Sequence, residues 1–193
     1  MSANPKTYIT PEEYLELEEK AEFKSEYFNG EIFAMAGATP RHTLITSNVS
    51  RELGNQLAGR RCAVLSTDLR VKVSQTGMYT YADVAILCDK PKLDEKNNYT
   101  LLNPQLIVEV LSDSTKNYDR GEKFEHYRSI DSFTDYLLIS QDKFHVEYFA
   151  KQPDGSWLLR EFNHLEDTIR IASLNCEITL TNIYENYDLF DSE

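Results

Sequence analysis

The spacing of apolar residues along the chain switches between a helical and a strand period, and the switches mark its elements. Thr10-Pro11-Glu12-Glu13 reads as a helix start: Thr10 caps, Pro11 suits the first helical position and Glu13 completes a capping box. This helix is expected to run to about Ala21. Ser25–Phe28 and residues 31–35 flank Asn29-Gly30, a two-residue hairpin signal. Thr39-Pro40 opens a second helix, with Leu44, Ile45, Val49, Leu53 and Leu57 at helical spacing and Gly59 as its stop. Strand signals follow at 62–65, at 69–74, where Leu69, Val71 and Val73 alternate with Arg70, Lys72 and Ser74, and at 82–88, nearly all apolar apart from Asp83. Residues 89–103 read as an exposed polar loop. Residues 105–111 form a central apolar strand interrupted only by Glu109. A helix is expected over 119–129 and another apolar strand over 136–139. A meander should follow at 145–149, Trp157–Phe162 and 168–172, with a turn at Pro153-Asp154-Gly155 and a short helical turn near 181–186.

The order predicts an α/β chain of the α+β kind, a mixed sheet with helices on its faces. No repeat, low-complexity tract or linker interrupts it, so one domain is expected over 1–193. Its core spans about 40–140, with an N-terminal helix-hairpin at 10–36 and a C-terminal β-meander at 144–175.

Composition narrows the function classes. The chain has 193 residues, 41% hydrophobic and 27% charged, ordinary for a globular protein. No apolar run nears the roughly 20 residues a membrane helix needs, so no membrane partner is expected. The N-terminal MSANPKTYIT has no apolar stretch, so no signal peptide is expected and the location should be cytoplasmic. Cys62, Cys88 and Cys176 are far apart and odd in number; they read as reduced, buried small hydrophobes. The net charge of −12 counts against a protein that coats nucleic acid through bulk electrostatics. The charge is unevenly spread: residues 41–72 carry Arg41, Arg51, Arg60, Arg61, Arg70 and Lys72 against two acids, while both ends are acidic. A basic middle leaves room for a phosphate-bearing substrate, or is simply a solvated face.

Asp83 and Glu109 carry the chemistry, because an unpaired carboxylate on a central strand costs several kcal/mol. Either they pair with arginines or lie at a strand end, or they converge on a hard divalent cation that relieves their repulsion. Asp119, Lys123 and Tyr127 then fall four apart on one helix face. Lys123 either pairs with Asp119 or points back at the strand end carrying Glu109, where a lysine suits phosphoryl chemistry.

Asp83, Glu109 and Lys123 resemble the PD-(D/E)XK restriction-endonuclease-like superfamily. The whole chain resembles a family of inferred endonucleases first catalogued as a domain of unknown function. The resemblance spans roughly 8–150 and rests on Ser25-Glu26-Tyr27-Phe28-Asn29-Gly30-Glu31, His42 with Leu53 and Leu57, Tyr81-Ala82-Asp83-Val84-Ala85, Glu109-Val110-Leu111-Ser112, and Asp119-Arg120-Gly121-Glu122-Lys123 with Tyr127. It implies a restriction-endonuclease-like core in which Asp83, Glu109 and the backbone carbonyl of Val110 ligate Mg²⁺ or Mn²⁺. It also implies that the lysine has migrated to the helix: Leu111 stands two after Glu109, and Lys123 substitutes. Ala82 and Asp113 stand where proline is frequent; Asp113 adds a carboxylate or caps the helix. The resemblance gives Glu26 a role in completing the metal site through water and His42 one in contacting phosphate, unless His42 only packs and Glu31 only solvates the hairpin.

The expected activity is metal-dependent hydrolysis of phosphodiester bonds in DNA, an Mg²⁺-dependent endonuclease, with RNA or a small nucleotide as a weaker substrate reading. The competing expectation is a non-catalytic homodimeric binding or regulatory module on a nuclease fold. A homodimer is expected in both.

Overall fold

The computed structural model describes residues 8–66, 68–95 and 97–190. Helix α1, Pro11–Glu18, has the capping box: Thr10 Oγ1 accepts from the Glu13 N–H while the Glu13 carboxylate accepts from the Thr10 N–H. It ends three residues before the expected Ala21, because the Lys20 N–H turns back to the Leu17 carbonyl in a tighter turn. Strands β1, Ser25–Phe28, and β2, Glu31–Ala34, form the hairpin, with Asn29 and Gly30 at φ 49° and 83° as a two-residue turn demands. Helix α2 spans Pro40–Leu57.

Two six-stranded sheets follow. The first has the order β2-β1-β5-β4-β8-β7, with β4 at Arg70–Val73, β5 at Met78–Tyr81, β7 at Leu93–Asp94 and β8 at Asn97–Leu101. Strand β5 was not anticipated, and the expected loop at 89–103 is corrected to a β7–β8 hairpin whose second strand runs parallel to β4. Polar residues hid it: Asn97 and Thr100 are buried, so composition misreported burial.

The second sheet has the order β12-β11-β10-β9-β6-β3, with β3 at Cys62–Ser66, β6 at Val84–Cys88, β9 at Leu106–Leu111, β10 at Asp135–Ser140, β11 at Val146–Lys151 and β12 at Trp157–Phe162. Strands β9 and β10 are parallel and joined through a helix, α3, at 116–127. The expected three-stranded meander is corrected in its last member. Strand β13, Thr168–Ile171, leaves the sheet and pairs with β14, Cys176–Thr179, ahead of a helical turn at Leu180–Ile183.

Alternation along β9 divides the core. Leu106, Val108 and Val110 face α2 and the β13–β14 hairpin, while Ile107 and Leu111 face the α3 side with Phe124, Tyr127 and Tyr136. Glu109 falls on this second face. The far side of the first sheet is covered by α1 through Tyr14, stacked on Tyr27 with ring centroids 5.0 Å apart.

The expectation of reduced cysteines is corrected for two of the three. Cys62 and Cys88 lie directly opposite on β3 and β6, with Cα atoms 3.9 Å apart, and form a disulfide; Cys176 is free and buried. Their separation of 26 residues gave no sign of this, since only strand pairing brings them together.

Candidate active site

The candidate site lies where the two sheets meet beneath α3. Val84 pairs with Val108 across β6 and β9, so Asp83, the residue just ahead of β6, stands beside Glu109. Asp83 is therefore at a strand mouth, not inside the strand as its sequence context suggested. That leaves its side chain 18% exposed, against 5% for Glu109. The two acids interlock through backbone: the Val110 N–H donates to Asp83 Oδ2 at 2.7 Å, and the Asp83 N–H lies 3.4 Å from Glu109 Oε2.

Lys123 meets them from α3. Its Nζ lies 3.0 Å from Glu109 Oε1, 3.1 Å from Glu26 Oε1 on β1, 3.7 Å from Asp119 Oδ1 and 3.3 Å from the Tyr81 carbonyl. Tyr127 donates to Glu109 Oε1 at 2.9 Å. Helix α3 is not uniform: Asp119–Lys123 is a π turn set between α-helical turns. The Tyr136 hydroxyl donates to the Asp119 carbonyl at 3.0 Å, serving a backbone group within the widened turn. His42, in the first turn of α2, places Nε2 3.2 Å from Asp83 Oδ2 and also bonds the Val110 carbonyl.

Electrostatics follow from burial. Desolvation pushes the Glu109 carboxyl well above its usual range, Lys123 opposes this, and Asp83 and Asp119 add to it. Asp119 is raised mainly by burial, against the pull of Lys123. Burial lowers Lys123, but Glu109, Tyr127, Glu26 and Asp119 more than reverse it, so the amine stays an ammonium. Burial likewise lowers His42, and the hydrogen bond and charge of Asp83 carry it above its usual value.

The fold thus brings together Asp83, Glu109, Lys123, Glu26, His42, Asp119 and Tyr127. Asp113 is not among them: its side chain is 86% exposed and pairs with Lys116 Nζ at 2.7 Å. That placement corrects its candidacy as an added carboxylate; the loop after β9 turns it to solvent. Two partners escaped notice. Thr80 donates to Glu26, and the Tyr118 hydroxyl bonds the same carboxylate. Thr80 lies on the unanticipated strand β5, and Tyr118 carries no signal of its own in sequence.

The oxygens grouped for a cation are those of Asp83, Glu109 Oε2, which lies 3.4 Å from the Asp83 N–H, and the Val110 carbonyl, which His42 also bonds. Among the described residues, no three His, Cys, Asp or Glu side chains stand together as a metal cluster. Two carboxylates with a backbone carbonyl remain a hard-oxygen set, the kind Mg²⁺ takes together with water and substrate phosphate. Chemically the residues fit such an ion. Among the described residues no helix is long and apolar enough to cross a membrane.

Comparison with known proteins bears on the family and the fold. The family model Uma2, described as "Putative restriction endonuclease", matches residues 11–182. Two uncharacterized Synechocystis proteins are similar: slr1290 is 37% identical over 176 residues, covering 91% of each chain, and sll1609 is 39% identical over 153 residues, covering 79% of this chain and 86% of its own. A crystal structure of "a putative nuclease belonging to DUF820 from Anabaena variabilis ATCC 29413" superposes with a TM-score of 0.76 at 18% identity, over 93% of this chain and 99% of that one. At that identity the likeness is one of fold alone, a shared mixed α/β arrangement.

Proposed function

From the premise that this chain belongs to the Uma2 restriction-endonuclease family, we propose that it is a metal-dependent endonuclease that hydrolyses phosphodiester bonds of DNA. The observation that carries the reading is the pairing of Asp83 and Glu109 at a strand mouth, with a buried lysine clamped against the Glu. A core built only for stability has no need of three carboxylates around one ammonium, since buried charge costs more than apolar packing.

In this reading Asp83, Glu109 and the Val110 carbonyl hold Mg²⁺ or Mn²⁺. When bound, such an ion supplies Lewis acidity toward a phosphoryl oxygen and lowers the pKa of a coordinated water. The chain's own residues do the rest. The Val110 N–H and His42 fix the orientation of the Asp83 carboxylate. Tyr127 and Lys123 occupy Glu109 Oε1, leaving Oε2 turned toward Asp83. Lys123 offsets the negative charge that gathers at the site, and Asp119, 3.7 Å away on the same helix, is the most distant of its three carboxylates. In this reading His42, in the first turn of α2 and bonded to Asp83, contacts a phosphate oxygen. In this reading the protein works as a homodimer, because a duplex presents two strands.

Nicking of supercoiled plasmid in Mg²⁺ or Mn²⁺ tests this. Wild type should nick, and Glu109→Gln and Lys123→Ala should each lose about 100-fold or more in rate while keeping the fold. Wild-type protein that cleaves neither DNA nor RNA with any divalent metal would sink the enzyme reading. The net charge of −12 would then favour the non-catalytic homodimeric module.

A further inference from the structure

Lys123 approaches the site from a helix and not from the strand that carries Glu109, so its long flexible stem needs a second anchor. Glu109 Oε1 provides one at 3.0 Å. On the other side stands Glu26, its side chain 10% exposed, with Oε1 3.1 Å from the ammonium. Glu26 is itself fixed from two elements: Thr80 on β5 donates to Oε1, and Tyr118 of α3 bonds the carboxylate. The remaining acceptors of Lys123 are more distant, the Tyr81 carbonyl at 3.3 Å and Asp119 at 3.7 Å. Among the described residues no hydrogen bond or ion pair joins Glu26 to Asp83, His42 or the Val110 peptide, where a cation would sit.

We propose that Glu26 is the positioning residue for Lys123, a brace that holds the ammonium against Glu109, and that it is not a metal ligand. This rests on the nuclease reading above and names how its lysine is held. It also gives the N-terminal hairpin a task. Pairing of Tyr27 with Tyr79 joins β1 to β5, which delivers Glu26 to the face opposite α1. Without Glu26 the ammonium keeps one close carboxylate and can swing toward Asp119.

The test compares wild type, Glu26→Ala and Glu26→Gln in three measurements: plasmid nicking against substrate concentration, Mn²⁺ binding by calorimetry, and the NMR resonance of the Lys123 ammonium. Glu26→Ala should lower kcat about 100-fold, as loss of one preorganised charged contact does, with KM and Mn²⁺ affinity unchanged and the ammonium resonance lost to exchange. Glu26→Gln keeps an acceptor oxygen for Thr80 and Lys123, so it should restore the resonance and part of kcat. If Glu26→Ala fails to fold, Glu26→Gln decides in its place: a kcat below that of wild type with unchanged Mn²⁺ affinity supports the brace, and a wild-type kcat overturns it. A tenfold loss of Mn²⁺ affinity in either variant makes Glu26 a ligand and overturns the proposal. So does a wild-type kcat with an intact resonance in Glu26→Ala. Wild-type protein that never nicks removes the nuclease reading instead, while the ammonium resonance still reports whether Glu26 holds Lys123.

Discussion

At the scale of single residues, burial gives the site its chemistry. Glu109 and Asp119 have folded-state values raised above their ordinary ones. A raised carboxyl stabilises the fold fully below its unfolded value and loses that contribution as pH rises through the folded value. In chelator, thermal stability should therefore fall as pH climbs from about 4.5, the ordinary glutamate range, and Glu109→Gln should flatten that decline; a slope identical to wild type would contradict the buried-acid account. Tyr127 offers a second check. Among the described residues its hydroxyl is the one neutral side-chain donor to Glu109 Oε1 beside Lys123. Tyr127→Phe should lose about 1.5–3 kcal/mol in urea unfolding, the usual cost of a hydrogen bond to a charged group.

At the scale of elements, two features hold the site's supports. Gly30 has φ +83°, and a Cβ there would run into the Tyr8 ring. Gly30→Ala should destabilise by about 1–2 kcal/mol, measured as a shift in the urea midpoint, from strain alone. Because β1 carries Glu26, the same variant should also slow cleavage. The disulfide ties edge strand β3 to β6, whose start sets Asp83. Closing a 26-residue separation, it should contribute about 3 kcal/mol. Cys62→Ser with Cys88→Ser, or wild type in reductant, should show that loss, and the two should agree.

At the scale of the whole molecule, the nuclease reading sets an acidic protein to act on an anion. The net charge of −12 gives no general attraction for DNA. On the nuclease reading affinity comes from the site and its cation, so DNA binding in Ca²⁺ should exceed that in chelator at least tenfold, roughly what one bridging charge at a phosphate supplies. Fluorescence anisotropy with a short duplex measures it; equal binding in both would remove the cation from recognition.

The alternation of apolar residues was sufficient for α1, the hairpin, α2 and the central strands, because local period and capping chemistry decide those. It was also sufficient to single out Asp83 and Glu109, since a carboxylate in an apolar run is anomalous wherever the strand lies. Residues 78–81 and 97–101 were not legible as strands, because threonine, tyrosine and asparagine there are buried by a partner sheet and not by their own hydrophobicity. The third strand of the meander was misassigned for the same kind of reason: which strand pairs with which depends on closure of the whole chain. The disulfide and the Thr80 and Tyr118 contacts to Glu26 depend on long-range pairing that no local pattern encodes. The sequence by itself determined that two acids would interrupt apolar runs, and left open whether Lys123 reaches them or only pairs with Asp119. The tertiary structure alone decided that Asp83 stands at a strand mouth, that Asp113 faces solvent, and that Lys123 is held between Glu109 and Glu26. Those outcomes depend on distances between elements far apart in the chain, which packing fixes and periodicity does not.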